Sequence, residues 1–137
     1  MKLLTPQLHT ALRANAISRR AGDASGAVFD PVPLVKLFNP LGVATWLATE
    51  LDEDCDTLFG LADLGFGCPE LGCFSLAEIG TLRLPFGLRI ERDLLFETGF
   101  SLSVWSEWAR RAGSILWAET LLRRAVQTGT APELPLS

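Results

Sequence analysis

Two pairs of carboxylates, Glu50 with Asp52 and Glu91 with Asp93, set the chemistry this chain could carry. Each pair is two residues apart, and on a β-strand that spacing puts both side chains on one face. Paired carboxylates can hold a divalent cation or divide the roles of general acid and general base, and at strand ends they can equally be solvated groups. The rest of the catalytic inventory is sparse. His9 is the only imidazole and falls in a helical pattern, so a zinc site or a histidine-dependent nucleophile would need partners from distant segments. No serine or cysteine stands in a G-x-S-x-G elbow and there is no G-x-x-x-x-G-K-[ST] loop; Gly65-Phe66-Gly67 runs into Cys68-Pro69-Glu70 and reads as a turn. Cys73, beside a predicted helix start, could be a stabilised thiolate, but a buried apolar thiol is the expected state. No metal and no cofactor is expected.

Charge and aromatics point toward partners instead. No lysine or arginine occurs between Lys36 and Arg83, whereas eight acids do: Glu50, Asp52, Glu53, Asp54, Asp56, Asp63, Glu70 and Glu78. Such a run repels phosphate backbones, so direct nucleic-acid binding by this region is disfavoured. Basic pairs lie near the C-terminus, Arg110-Arg111 and Arg123-Arg124, among Trp105, Trp108 and Trp117. Tryptophan with arginine is the composition of association hot spots, although the same tryptophans could pin helices onto a sheet. Trp46 is expected on the same strand face as Glu50. The partner-contact candidates are therefore Trp46, Glu50, Asp52, Glu70, Trp105, Trp108, Arg110 and Arg111.

The elements that must position these residues read as α+β. Thr5-Pro6 starts a helix expected to end near Ala16, and Arg19 to Pro33 reads as a loop. Strands are expected over Leu34–Asn39, Val43–Leu51, Asp56–Leu64 and Glu70–Phe74, forming an antiparallel meander. Ser75-Leu76-Ala77-Glu78 has capping-box spacing for a short helix. Leu88–Phe96 is expected to return as an edge strand, and Ser101–Gln127 to form two helices or one helix kinked at Gly113-Ser114. Residues 1–127 make a single domain, with 98–127 a helical extension and 128–137 a frayed tail.

Apolar residues form 48% and charged residues 20% of the 137, an ordinary globular mix. There is no apolar run of the length a spanning helix needs, no long apolar core of a secretion signal, and the three cysteines lack paired spacing. These features predict a soluble cytoplasmic protein with free thiols.

Separated strings then carry a resemblance: Val35-Lys36-Leu37-Phe38-Asn39-Pro40, Thr45-Trp46, Thr49-Glu50-Leu51-Asp52, Thr57-Leu58-Phe59-Gly60-Leu61, Glu70-Leu71-Gly72-Cys73-Phe74-Ser75-Leu76-Ala77-Glu78-Ile79 and Leu88-Arg89-Ile90-Glu91-Arg92-Asp93-Leu94. In this order they resemble the bacterial family catalogued as domain of unknown function 2958, over most of residues 1–97. The resemblance implies a protein of plasmids and other mobile elements and brings no catalytic residues. The reading this supports is a non-enzymatic interaction module with a protein partner, with counter-defence against a host nuclease or CRISPR-type complex as one use. The alternatives are a small carboxylate enzyme using Glu50, Asp52, Glu91 and Asp93, and a nucleic-acid contact through Arg110, Arg111, Arg123 and Arg124. A homodimer through the C-terminal helices is a further expectation.

Overall fold

The structure, a computed structural model, describes residues 2–129. The first helix, α1 (Pro6–Ser25), starts as its sequence dictates: the Thr5 hydroxyl accepts from the Leu8 amide at 3.1 Å and Pro6 occupies the first turn. It does not stop near Ala16. The predicted loop beginning at Arg19 is helical to Ser25, where Gly26 closes the helix at φ 78°. The extra turns are anchored from outside, because Arg19 and Arg20 pair with acids of the sheet, a tertiary contact that local propensity does not register.

The strands β1 (Val35–Phe38), β2 (Thr45–Leu51), β3 (Thr57–Asp63) and β4 (Glu70–Ser75) form the expected meander. A short helix α2 (Leu76–Thr81) follows, then β5 (Glu91–Arg92), and the sheet order is β4-β3-β2-β1-β5 with every pair antiparallel. The edge strand expected over Leu88–Phe96 shrinks to two residues, with one more bond from the Asp93 amide to the Lys36 carbonyl at 2.9 Å, and the chain beyond Asp93 leaves the ladder. The C-terminal region is two helices, α3 (Leu102–Ala112) and α4 (Ile115–Thr128), broken where Gly113 adopts φ 86° and the Ser114 hydroxyl caps Trp117. Of the predicted tail, Thr128 belongs to α4, Gly129 caps it, and 130–137 lie outside the described residues.

Alternation along the strands splits the core into two layers. Leu12, Val35, Leu37, Trp46, Ala48, Leu51, Leu58 and Ile79 pack on the α1 side, while Leu47, Leu61, Leu102, Trp105, Trp108, Ile115 and Leu122 pack under α3 and α4. A β-bulge between Ala48 and Glu50 resets the alternation of β2, so Leu51, not Glu50, returns to the face of Trp46. The expected pairing of Trp46 with Glu50 on one face is thereby corrected. Gly60 faces the bulge from β3. A Cβ there would lie 1.8 Å from the Leu47 carbonyl oxygen, so no other residue fits without moving backbone.

β1 is too short to pair the end of β2. Beyond the last partnership, Val35 with Ala48, α1 takes over: Asn15 donates to the Thr49 carbonyl at 2.9 Å and Arg13 to the Leu51 carbonyl at 2.8 Å. Helix side chains thus satisfy acceptors that a longer strand would have covered. Among the described residues no buried side-chain nitrogen or oxygen lacks a partner, and no helix is long and apolar enough to cross a membrane.

Candidate functional site

The structure places the eight acids of the basic-free run one by one, and most of them have internal work. Glu50 is buried and receives Arg19 Nε on both oxygens at 2.9 Å, with the guanidinium also 4.7 Å above the Phe59 ring. The Arg19 pKa is raised, chiefly by that bond. Arg20 reaches Asp52 at 3.1 Å and Glu53 at 3.6 Å. Asp54 accepts the Thr57 hydroxyl and the Thr57 and Asp56 amides, bonds that hold its carboxyl below the usual aspartate range. Asp56 accepts from Ser75 Oγ at 2.7 Å and the Ala77 amide at 2.7 Å, holding the start of α2, where Ser75 caps the Glu78 amide. Asp63 is buried and bonds the amides of Gly65 and Ile115, both at 2.9 Å, so a β3 carboxylate sits at the first turn of α4. Glu70 is exposed.

The four candidate catalytic carboxylates do not converge. Glu50 and Asp52 share a cleft of about 230 Å³ with Arg19, Arg20, Asp23 and Cys73. Asp93 lies across the sheet with Lys36, whose buried ammonium is 2.8 Å from Glu119 and 3.5 Å from Asp93. Glu91 lines a third place, against the N-terminal segment. Among the described residues no cluster of histidine, cysteine and carboxylate side chains could hold a metal ion. Cys73, expected to be buried, is exposed, as are Cys55 and Cys68.

The aromatic and basic candidates are also largely committed inside the fold. Trp46, Trp105 and Trp108 are buried core residues, and Trp105 Nε1 donates to Thr98 Oγ1 at 3.1 Å. Arg110 and Arg111 both bond Glu107, whose carboxyl is held below its usual range first by Arg111 and then by Arg110. Arg123 approaches Glu119 at 3.6 Å, while Arg124 and roughly half of Trp117 face solvent.

Unmatched surface lies elsewhere, and of the four candidate carboxylates only Glu91 reaches it. A recess of about 720 Å³ lies between the N-terminal segment and the loop leading into β5, and is walled by Leu3, Leu4, Pro6, Leu76, Leu88 and Ile90. Arg92 fixes one side of it by donating to the Leu3 carbonyl at 2.6 Å. Lys2, His9, Arg89 and Glu91 supply its polar groups. The adjoining loop exposes Leu82, Leu88 and, at 91%, Phe86. Phe86 also has φ 62°, a left-handed conformation that costs a bulky residue on the order of 1–3 kcal/mol. The turn is closed by the Leu88 amide on the Pro85 carbonyl at 3.3 Å and the Leu84 amide on the Leu88 carbonyl at 3.0 Å, and it leaves the phenyl ring in solvent beside the apolar recess. The local signal was Pro85-Phe86-Gly87, a tight turn with an aromatic at its centre.

The family model described as "Protein of unknown function (DUF2958)" matches residues 3–116, past the expected limit near residue 97 and through α3 into α4. No curated protein and no solved structure matches the chain.

Proposed function

We propose that this chain, which belongs to the DUF2958 family, works as a protein-interaction module that takes an apolar, acid-bearing segment of another protein into the recess beside Phe86. The observation that carries this reading is Phe86 itself, exposed and held at positive φ next to an apolar recess of about 720 Å³. Aromatic anchors supply a large share of association energy when they enter a partner's pocket. Lys2, Arg83 and Arg89 give the loop and the recess rim an excess of positive charge over Glu91, which selects for an acidic partner segment.

On a mobile element such a module would act against a host nuclease or surveillance complex. The version in which an acidic face imitates nucleic acid draws less support, because Glu50, Asp52, Glu53 and Asp56 are engaged by arginines or helix amides of the same chain. The test is capture of partners from a bacterial extract with wild type, Phe86→Gly and Arg83→Glu/Arg89→Glu. Loss of the same protein in both variants supports the reading. An unchanged set of captured proteins in both refutes it.

A further inference from the structure

The geometry of β4 points to a second copy of this chain as its edge partner, at the opposite end of the sheet from the Phe86 loop. β4 pairs with β3 through all six residues, Glu70 to Ser75, without a register shift, and its other edge is unpaired. Natural edge strands are guarded by lysine, proline, a bulge or short length. β4 has none of these guards, and its single charge, Glu70, stands at its first residue. Leu64, Phe66 and Leu71, at its beginning, are exposed apolar side chains, Phe66 at 82%.

The strand is complementary to itself. An antiparallel pair related by a two-fold axis perpendicular to the sheet must place one residue opposite its own copy. Centring that axis on Cys73 sets Leu71 against Ser75 and Gly72 against Phe74. A Cβ on Gly72 would meet nothing within 4 Å, so the glycine leaves open space opposite Phe74 of the other copy, whose ring stays half-buried against its own first core layer. Glu70 then falls opposite Leu76, past the strand end, and no like charges meet. Cys73, paired with Phe59 and exposed, faces Cys73 of the other copy at a cross-strand spacing of about 4.5–5.5 Å. One sheet runs through both copies, with each Phe86 loop toward its outer end.

The full chain carrying Cys55→Ser and Cys68→Ser tests this by light scattering and mild oxidation. The expected result is twice the monomer mass and a reducible dimer linked through Cys73. Cys73→Lys, which sets two ammonium groups opposite each other, is expected to give a monomer with a cooperative thermal transition that no longer depends on protein concentration, and Cys73→Thr to remain dimeric. A monomer at every concentration reached, or a dimer that survives Cys73→Lys, overturns the proposal. Capture of a foreign strand by a monomeric chain overturns it as well.

Discussion

The two ends of α1 face opposite situations. At its C-terminal end Arg19 and Arg20 meet Glu50, Asp52 and Glu53, and the acidic turn after β2 spends its remaining carboxylates on its own amides and on the start of α2. At its N-terminal end the helix borders an apolar recess, a strained phenylalanine and the cations Lys2, Arg83 and Arg89, which form no ion pair among the described residues. The charged residues that draw the eye in the sequence are mostly fold-building, and the surface proposed for a partner is mainly apolar. A charge run marks a site only when its counter-charges lie outside the chain, because an internal partner has already satisfied it.

The largest expected effect breaks the bulge that redirects Glu50. Gly60→Ala drives a methyl group into the Leu47 carbonyl and is expected to cost at least about 3 kcal/mol, read as a lowered urea midpoint. A midpoint within error of wild type would mean that β2 and β3 do not approach as described.

Next comes the buried ammonium. Lys36→Met removes the buried cation between Asp93 and Glu119, leaving only the exposed Arg123 near Glu119, and is expected to cost about 3 kcal/mol, with Lys36→Met/Glu119→Leu recovering much of it. If the double variant is no more stable than the single, Lys36 contributes through packing alone.

The sharpest contrast comes from Phe86. Phe86→Gly relieves a positive φ and is expected to raise stability by about 1 kcal/mol while abolishing partner capture. A substitution that stabilises the fold and removes binding separates the two ends of the helix, since changes among the paired acids should do the reverse.

The smallest effect is the acid limb of stability. Asp54 has its pKa lowered, first by the Thr57 hydroxyl, and Asp30 likewise by Ser103 bonds that outweigh burial. A folded-state pKa below the unfolded one gives stability that is complete above the ordinary aspartate range and lost as pH falls through the folded value. Thermal unfolding should therefore weaken only at acid pH, and Asp54→Asn should flatten that limb. A slope appearing near neutrality would point to other groups.

Much of the fold was legible because strand, turn and cap signals agree locally: the meander, the Ser75 cap and the Gly113-Ser114 break all follow from neighbouring residues. The length of α1 was not, since Arg19 and Arg20 are held by acids more than thirty positions away. Gly60 inside a strand was the available sign of the bulge that parts Glu50 from Trp46. The candidate surface was the least legible part, because Leu82, Phe86 and Leu88 look like ordinary core residues until the fold leaves them outside.

The most direct test of the partner surface is hydrogen exchange on the protein with and without its captured partner. Protection confined to residues 2–9 and 82–91, with the turn at 52–56 unchanged, is the predicted result. Protection at 52–56 and along the second half of α1, with 82–91 unchanged, would contradict it.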